Sequence, residues 1–421
     1  MSDTRQELSD PVASVNQVTP VRAHAAARPD KAPPRVLRSM LALDDFEAPA
    51  RRYIPRPIFG YISGGAETNA SMRGNRAAFD DLAFVPKTLV DVSTRTQKTV
   101  LFGRTYDAPF GIAPMGGTAM AAYQGDPVLA RAAAHANIPM ILSGASLTPL
   151  ERIREEGPTA WFQAYLPGET GPITELVERV ARAGYDTLCL TVDVPVGANR
   201  ENNVRSGFHT PLRPTLRLAW DGITRPRWLI GMFARTLLLH GMPHFENAGP
   251  RVPLLSSIGK RGWMVRDQLS WNHVEMMRRL WKGRLILKGI LAKEDARIAR
   301  ESGVDGIIVS NHGGRQLDGA IAPLRVLPGI VAEAGAMTVM LDGGIRRGTD
   351  VLKALALGAQ FVFVGRPYLY AAAIAGEAGV RHAINLLRDE VDRDMALLGI
   401  TTLADMRPER LMNARAKDWL L

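Results

Sequence analysis

From Phe110 onward the chain alternates between two textures. Short apolar runs come first: FGIAP (110–114), PMILS (139–143), AWFQAY (160–165), DTLCLTVD (186–193), RLILK (284–288), DGIIVS (305–310), MTVMLD (337–342) and FVFVG (361–365). Between most of them lie stretches with helical spacing of apolar residues, such as GDPVLARAAAHAN, ITELVERVARAG, KEDARIARESG and GTDVLKALALG. Several of these end in glycine, the usual residue just past a helix C-terminus. Runs that are apolar on both faces and alternate with helices predict a parallel sheet. Eight such units over roughly 250 residues predict a (β/α)8 barrel, a TIM barrel.

The flanks read differently. Residues 1–40 are rich in Ala, Pro and Arg with no sustained period, which predicts a mobile tail ahead of a barrel domain over 41–412. Residues 41–65 predict a helix, a proline break and a second short helix ending at Gly64-Gly65. One interval breaks the rhythm: more than ninety residues separate Asp193 from Lys288, so an insertion, 209–267, follows the fourth strand.

In a barrel the C-terminal ends of the strands converge on one rim, where binding loops sit. Here those ends carry Pro114-Met115-Gly116, Ser143, Gln163 with Tyr165, Thr191 with Asp193, Lys288, Asn311-His312, Asp342-Gly343-Gly344 and Gly365-Arg366. Residues scattered along the sequence thus become a polar ring in space.

Composition adds bounds. The 421 residues are 46% hydrophobic and 22% charged, as in a soluble globular protein, and no run approaches a membrane span. A lone cysteine, Cys189, excludes a disulfide framework and predicts a cytoplasmic setting, and the N-terminus has no signal-peptide pattern. The formal charge of +10 favours anionic partners. Nucleic acid is excluded as the partner, because the arginines match no recognition motif and the charge is spread along helices.

Candidate chemistry sharpens this. DGGIRRGTD after the seventh strand and GRP after the eighth stand where such barrels hold phosphate; Arg346 and Arg366 supply the cations and the helix start favours an anion. Lys288 at a strand end implies a nearby anion or a Schiff base, since a buried ammonium without a partner is costly. In SNHGGRQLD, His312 is a candidate base that Asp193 can orient. Arg200, Arg315, Tyr61 and Tyr165 at the same rim can hold a carboxylate and a hydroxyl together.

SNHGGRQLD resembles the signature of the FMN-dependent α-hydroxy-acid dehydrogenases and oxidases. GYISGGAET, IAPMG, GDPVLARAA, FQAY, LTVD, LILKGI, LDGGIRRGTDVLKALALGA and VGRP resemble that family too, in order, over about residues 40–410. The resemblance implies FMN as cofactor and oxidation of an L-2-hydroxy acid, of lactate or mandelate type, to the 2-keto acid. It implies His312 as base, aided by Asp193, with Tyr165 and Tyr61 bonding the carboxylate or the reacting oxygen. Arg200 and Arg315 would hold the carboxylate. Lys288 would stand near flavin N1. Ser143, Gln163 and Thr191 would bond the ring edge, with Met115 and Gly116 facing the ring through backbone. Asp342, Gly344, Arg346, Gly365 and Arg366 would take the ribityl chain and phosphate. Relatives are often homotetramers.

Departures refine the expectation. Ala145 replaces a bulky tryptophan common in short-chain oxidases, which enlarges the pocket toward aromatic or longer acids. Gly116 stands where oxidases often carry alanine, which points to a quinone or cytochrome rather than O2 as electron acceptor. An oxidase, or another FMN barrel enzyme such as an isomerase or monooxygenase, is the alternative. Asn203, Ser206 and Met115 also differ from the usual pattern, affecting loop packing and pocket shape. In the insertion, Arg213, Arg217, Arg225, Arg227 and Arg235 interleave with Trp220, Trp228 and the run from Leu229 to Phe233. Two readings stand: peripheral contact with the inner face of the cytoplasmic membrane, or a loop folded over the active site or into an oligomer interface.

Overall fold

The computed structural model describes residues 34–209, 212–247, 249, 251–255 and 266–415. All eight predicted runs form strands: β1 (Phe110–Ile112), β2 (Met140–Ser143), β3 (Ala160–Ala164), β4 (Thr187–Thr191), β5 (Arg284–Ile290), β6 (Gly306–Val309), β7 (Thr338–Asp342) and β8 (Phe361–Val364). Each pairs in parallel with its neighbours in chain order. β8 returns to β1, and β4 pairs β5 across the insertion, so the barrel is closed.

Alternation along the strands divides the core in two. Ile141, Trp161, Cys189, Ile286, Ile308, Met340, Phe361 and Phe363 point inward and fill the barrel. The intervening residues, such as Ile307, Val309, Val339 and Leu341, pack outward against the helices. A hairpin formed by Thr99–Leu101 and Arg104–Tyr106 adds Leu101 and Tyr106 to the inner cluster. Cys189 is buried and free, and burial pushes its thiol up to about 12.

The predicted N-terminal helices are present as Glu47–Tyr53 and Arg56–Ser63, broken at Pro55 and closed by Gly64. The expected tail reaching residue 40 is corrected at its end. Arg35–Leu37 form a 3-10 turn, and Leu37 and Met40 are buried because the core accepts their side chains. Residues 1–33 of that tail lie outside the described residues.

The described residues of the insertion are folded. It contains the helix Leu216–Ile223, a helical stretch from Pro226 to His240 with π geometry over Leu229–Ala234, and a short pairing of His244–Phe245 with Val252–Pro253. Trp228, Met232, Phe245 and Leu254 are buried, and Trp228 Nε1 donates to Met120 O at 2.9 Å on the barrel rim. Leu216, Trp220, Ile223, Ile230, Leu238 and Leu239 are exposed. Among the described residues no helix is long and apolar enough to cross a membrane.

Candidate active site

The turn after β6 carries the centre of the site. His312 is left-handed (φ 58°) and its backbone N–H donates to Ser310 Oγ at 3.0 Å. Asn311 exchanges amide hydrogen bonds with Asn75 at 2.7 and 2.8 Å and accepts from Gly314 N–H. Gly314 itself (φ 74°) has no alternative, since a Cβ there would lie 2.5 Å from Met72 N. The turn is therefore fixed from several sides, and it presents the imidazole in one orientation.

His312 Nδ1 stands 2.9 Å from Asp193 Oδ1. A bulge at Gly289 (φ 112°) shifts the β5–β6 register between Lys288 and Ile290 beside that carboxylate; a Cβ there would come within 2.6 Å of Asp193 Cγ, so only glycine lets the two segments approach. Burial pushes the Asp193 carboxyl up, but His312 and Lys288 outweigh it and hold it below the usual carboxylate range. Burial lowers His312 below its ordinary 6.5, against the pull of Asp193. The imidazole is thus neutral at neutral pH, the state a base needs.

Lys288 is 4% exposed. Its ammonium pairs with Asp342 Oδ2 at 3.0 Å and donates to Ser310 Oγ at 2.9 Å. Burial alone would lower it, yet Asp342 and Asp193 keep it above its ordinary value, so it stays charged. Asp342 is thus the nearby anion that a buried ammonium requires.

Two arginines grip the same stretch of backbone. Arg315 Nη1 donates to the carbonyls of Tyr61, Ile62 and Gly64, with its guanidinium 4.9 Å over the Tyr61 ring. Arg366 donates to Ile62, Gly64 and Gly313 carbonyls. Burial lowers Arg315 to about 9 and Arg366 to about 10, so both remain cationic at neutral pH. Arg200 Nε donates to Arg315 O at 3.0 Å and its Nη2 to Gln316 Oε1 at 2.5 Å. Tyr61 stacks on Phe208 at 4.3 Å, and burial pushes the Tyr165 phenol up to about 12, keeping it a donor.

These groups line one cavity of about 590 Å³, a size that suits a cofactor with a small substrate. Of the residues singled out in the sequence, Tyr61, Met115, Gly116, Tyr165, Thr191, Arg200, Lys288, His312, Arg315, Asp342, Gly344, Arg346, Gly365 and Arg366 line it. Three predicted residues stand behind the wall. Asp193 backs His312. Ser143 and Gln163 are fully buried and bonded to each other, Oγ to Oε1 at 3.2 Å.

The phosphate expectation needs one correction. The helix Gly348–Ala356 after β7 does not offer its first N–H groups: Asp350 takes those of Arg346 and Arg347, and Glu390 takes that of Gly348. The helix that opens at the cavity wall is Arg366–Leu398, after β8. Arg346 lines the cavity and pairs with Asp44 at 3.0 Å, while Arg347 pairs with Glu390.

Sequence reasoning missed Ser310, Gln316 and Arg266. Arg266 lies 4.6 Å over the Tyr165 ring and lines the cavity. Ser310 ended a predicted strand and gave no other signal.

The residues fit the phosphorylated flavin that the resemblance implies. Among the described residues six cations (Arg200, Arg266, Lys288, Arg315, Arg346, Arg366) face the cavity against a single carboxylate, Asp342. Asp342 Oδ1 is a buried acceptor with no partner among the described residues, a place for a hydroxyl donor such as a ribityl chain carries.

Comparison with known proteins agrees. The family described as FMN-dependent dehydrogenase matches residues 50–413. L-lactate dehydrogenase of Stenotrophomonas maltophilia is 38% identical over 377 residues, 88% of this chain and 98% of the relative. (S)-mandelate dehydrogenase of Pseudomonas putida is 36% identical over 89% of this chain and 95% of its own. A solved structure, described as the monotopic membrane protein (S)-mandelate dehydrogenase, superposes with a TM-score of 0.82 at 35% identity, over 89% of this chain and all of the other. With a closed eight-stranded barrel, a histidine–aspartate pair at its rim and a family match across nearly its whole length, the chain belongs to the FMN-dependent dehydrogenases.

Proposed function

We propose that this chain oxidises an L-2-hydroxy acid to the corresponding 2-keto acid. The single observation that carries the reading is His312, held neutral by burial and aimed by Asp193, on the same cavity wall as Arg200, Arg315 and Lys288. FMN, when bound, accepts the electron pair that leaves the substrate's α-carbon. With Nδ1 turned to Asp193, His312 Nε2 takes a proton from the substrate as it is oxidised. The imidazolium so formed is stabilised by the Asp193 carboxylate. Arg200 and Arg315 hold the substrate carboxylate, and Tyr61 and Tyr165 donate to it or to the reacting oxygen. With FMN bound, Lys288 would offset negative charge at the ring edge, and Ser143, Gln163 and Thr191 would stand along that edge. Met115 and Gly116 would face the ring through backbone. Asp342 and Gly344 would take the ribityl chain, and Arg346, Gly365 and Arg366 the phosphate.

Ala145 leaves room for a long or aromatic substrate side chain. At Gly116 a Cβ would lie 3.0 Å from Ala145 Cβ, so glycine keeps the space beside the ring open. We read this as the dehydrogenase form, passing electrons to a quinone or another acceptor than O2. The exposed apolar side chains of the insertion, interleaved with arginines, support peripheral attachment to an anionic membrane surface. The same insertion covers the cavity mouth through Phe245 and Leu254. A homotetramer is the assembly we expect, read by light scattering.

The test of the reaction is anaerobic. Substrate should bleach the flavin of the wild type, whereas His312→Ala should retain FMN and stay yellow. Normal bleaching of that variant would remove His312 from the mechanism. For the membrane, replacing Leu216, Trp220, Ile223 and Leu238 by serine should release the protein from anionic vesicles; unchanged sedimentation with them would refute attachment through this face.

A further inference from the structure

The cations of this rim differ in what holds them. Lys288 and Arg346 each meet a carboxylate, Asp342 and Asp44, both at 3.0 Å. Arg200 and Arg315 are held by neutral oxygens instead. Arg315 Nη1 donates to peptide carbonyls. The acceptors of Arg200 among the described residues are Arg315 O, 3.0 Å from Nε, and Gln316 Oε1, 2.5 Å from Nη2. A neutral acceptor fixes the direction of a guanidinium and leaves its charge uncancelled. A carboxylate would fix it and cancel it.

Arg200 lines the cavity and Gln316 does not, so the amide acts through the guanidinium. Its orientation is settled by chemistry: arginine carries donors only, and the amide oxygen must face it. The backbone beneath is anchored as well. Asp318 accepts from the N–H groups of Thr68 and Ser71, both at 2.9 Å, and Leu317 O accepts from Ser71 Oγ at 3.1 Å. Arg200 stands just before the short helix Glu201–Ser206. The bond from Arg200 to Gln316 therefore ties the segment after β4 to the turn after β6, the segments that also carry Asp193 and His312.

We infer that Gln316 is a positioning residue for substrate binding: its uncharged amide aims the Arg200 guanidinium and leaves that charge whole for the carboxylate of the 2-hydroxy acid. The inference rests on the proposed 2-hydroxy-acid oxidation and adds to it a residue that never meets the substrate. A glutamate at position 316 would aim Arg200 equally well and neutralise it.

That contrast supplies the experiment. Wild type, Gln316→Glu and Gln316→Met are compared on (S)-lactate and (S)-mandelate with a dye acceptor, at a pH above the acid limb, after FMN content is matched. Gln316→Glu should raise KM by roughly tenfold to a hundredfold, because the substrate carboxylate then meets a cancelled charge. Gln316→Met, which only loosens Arg200, should raise it by roughly threefold to tenfold. In both variants kcat should fall by a smaller factor, as expected when binding common to ground state and transition state is lost. The acid limb gives a second readout. His312 faces Asp193, Lys288 and Arg200, and the Arg200 charge lowers its pKa. Gln316→Glu should therefore move the limb of kcat/KM to higher pH. A Gln316→Glu enzyme with wild-type KM overturns the inference, since any acceptor would then serve. A loss confined to kcat, or a limb that stays in place, overturns it too. Each of these results leaves the reaction standing. If neither acid bleaches the wild-type flavin, the proposed reaction fails and the inference with it.

Discussion

Asp193→Asn isolates what the carboxylate behind His312 contributes. The substitution keeps the shape and leaves an acceptor for the Nδ1 proton, 2.9 Å away, but removes the negative charge. Both side chains are largely shielded, at 17% and 12% exposure, so solvent screens the pair only in part. With charge centres about 4 Å apart and an effective dielectric of about 20, the carboxylate stabilises an imidazolium by about 4 kcal/mol. Relaxation and the amide dipole recover some of this, leaving about 2–4 kcal/mol, or a loss of roughly 30- to 1000-fold in the rate of flavin reduction. The direction of the pH effect is a second, independent readout. Asp193 raises the His312 pKa, whereas burial, Lys288 and Arg200 lower it. Removing Asp193 therefore makes His312 a weaker base, and a weaker base stays unprotonated to lower pH. In the wild type the acid limb of kcat/KM should lie below pH 6.5, the ordinary imidazole value, and in Asp193→Asn it should lie lower still. Stopped-flow reduction of the bound flavin across pH 4.5–8 measures both. A variant that is slow but whose limb moves to higher pH, or one with unchanged rate, would refute the assignment of Asp193 as the group that tunes His312.

Two further outcomes follow from buried charges elsewhere. Lys288→Met strands Asp342 without its cation, and loss of one partner of a buried pair should lower apo-protein stability by about 3–5 kcal/mol in denaturant titration; a loss under about 1 kcal/mol would show that water reaches the carboxylate. Asp126, fully buried beside Ser146, is raised from 3.8 to about 6 by burial. Its folded pKa lies above its unfolded one, so the stability it adds is complete below about pH 4 and is lost as pH rises through 6. Asp126→Asn should flatten the stability profile in that window by up to about 3 kcal/mol, and an unaltered slope would exclude Asp126 as its source.

The barrel was legible because both sides of each strand are buried, which writes an unbroken apolar run that helices do not imitate. FVFVG shows this: Phe361 and Phe363 face the barrel interior while Val362 and Val364 face the helices. The strand-end polar residues were legible for the same reason, since a strand's end marks the rim. Partners that meet only after folding left no mark. Arg315 and Arg366 were read as ligand cations, but nothing in their own neighbourhoods showed that both would hold the carbonyls of residues 61–64, about 250 to 300 positions away. Ser310 looked like the last residue of a strand, yet its hydroxyl lies between Lys288 and the backbone of His312. Arg266 follows a stretch with neither period. The helix start after β7 misled because the residues that cap it, Asp350 and Glu390, are contributed by its own first turn and by a distant helix.

The grip of two guanidiniums on Tyr61, Ile62 and Gly64 has a consequence for how this rim tolerates change. Their counter-charge is a row of peptide oxygens, which every amino acid supplies alike. Replacing the side chain at position 62 leaves those oxygens in place; adding or removing one residue there redirects all of them. It is the length of this short segment, rather than its spelling, that keeps the two cations pointing at their ligands.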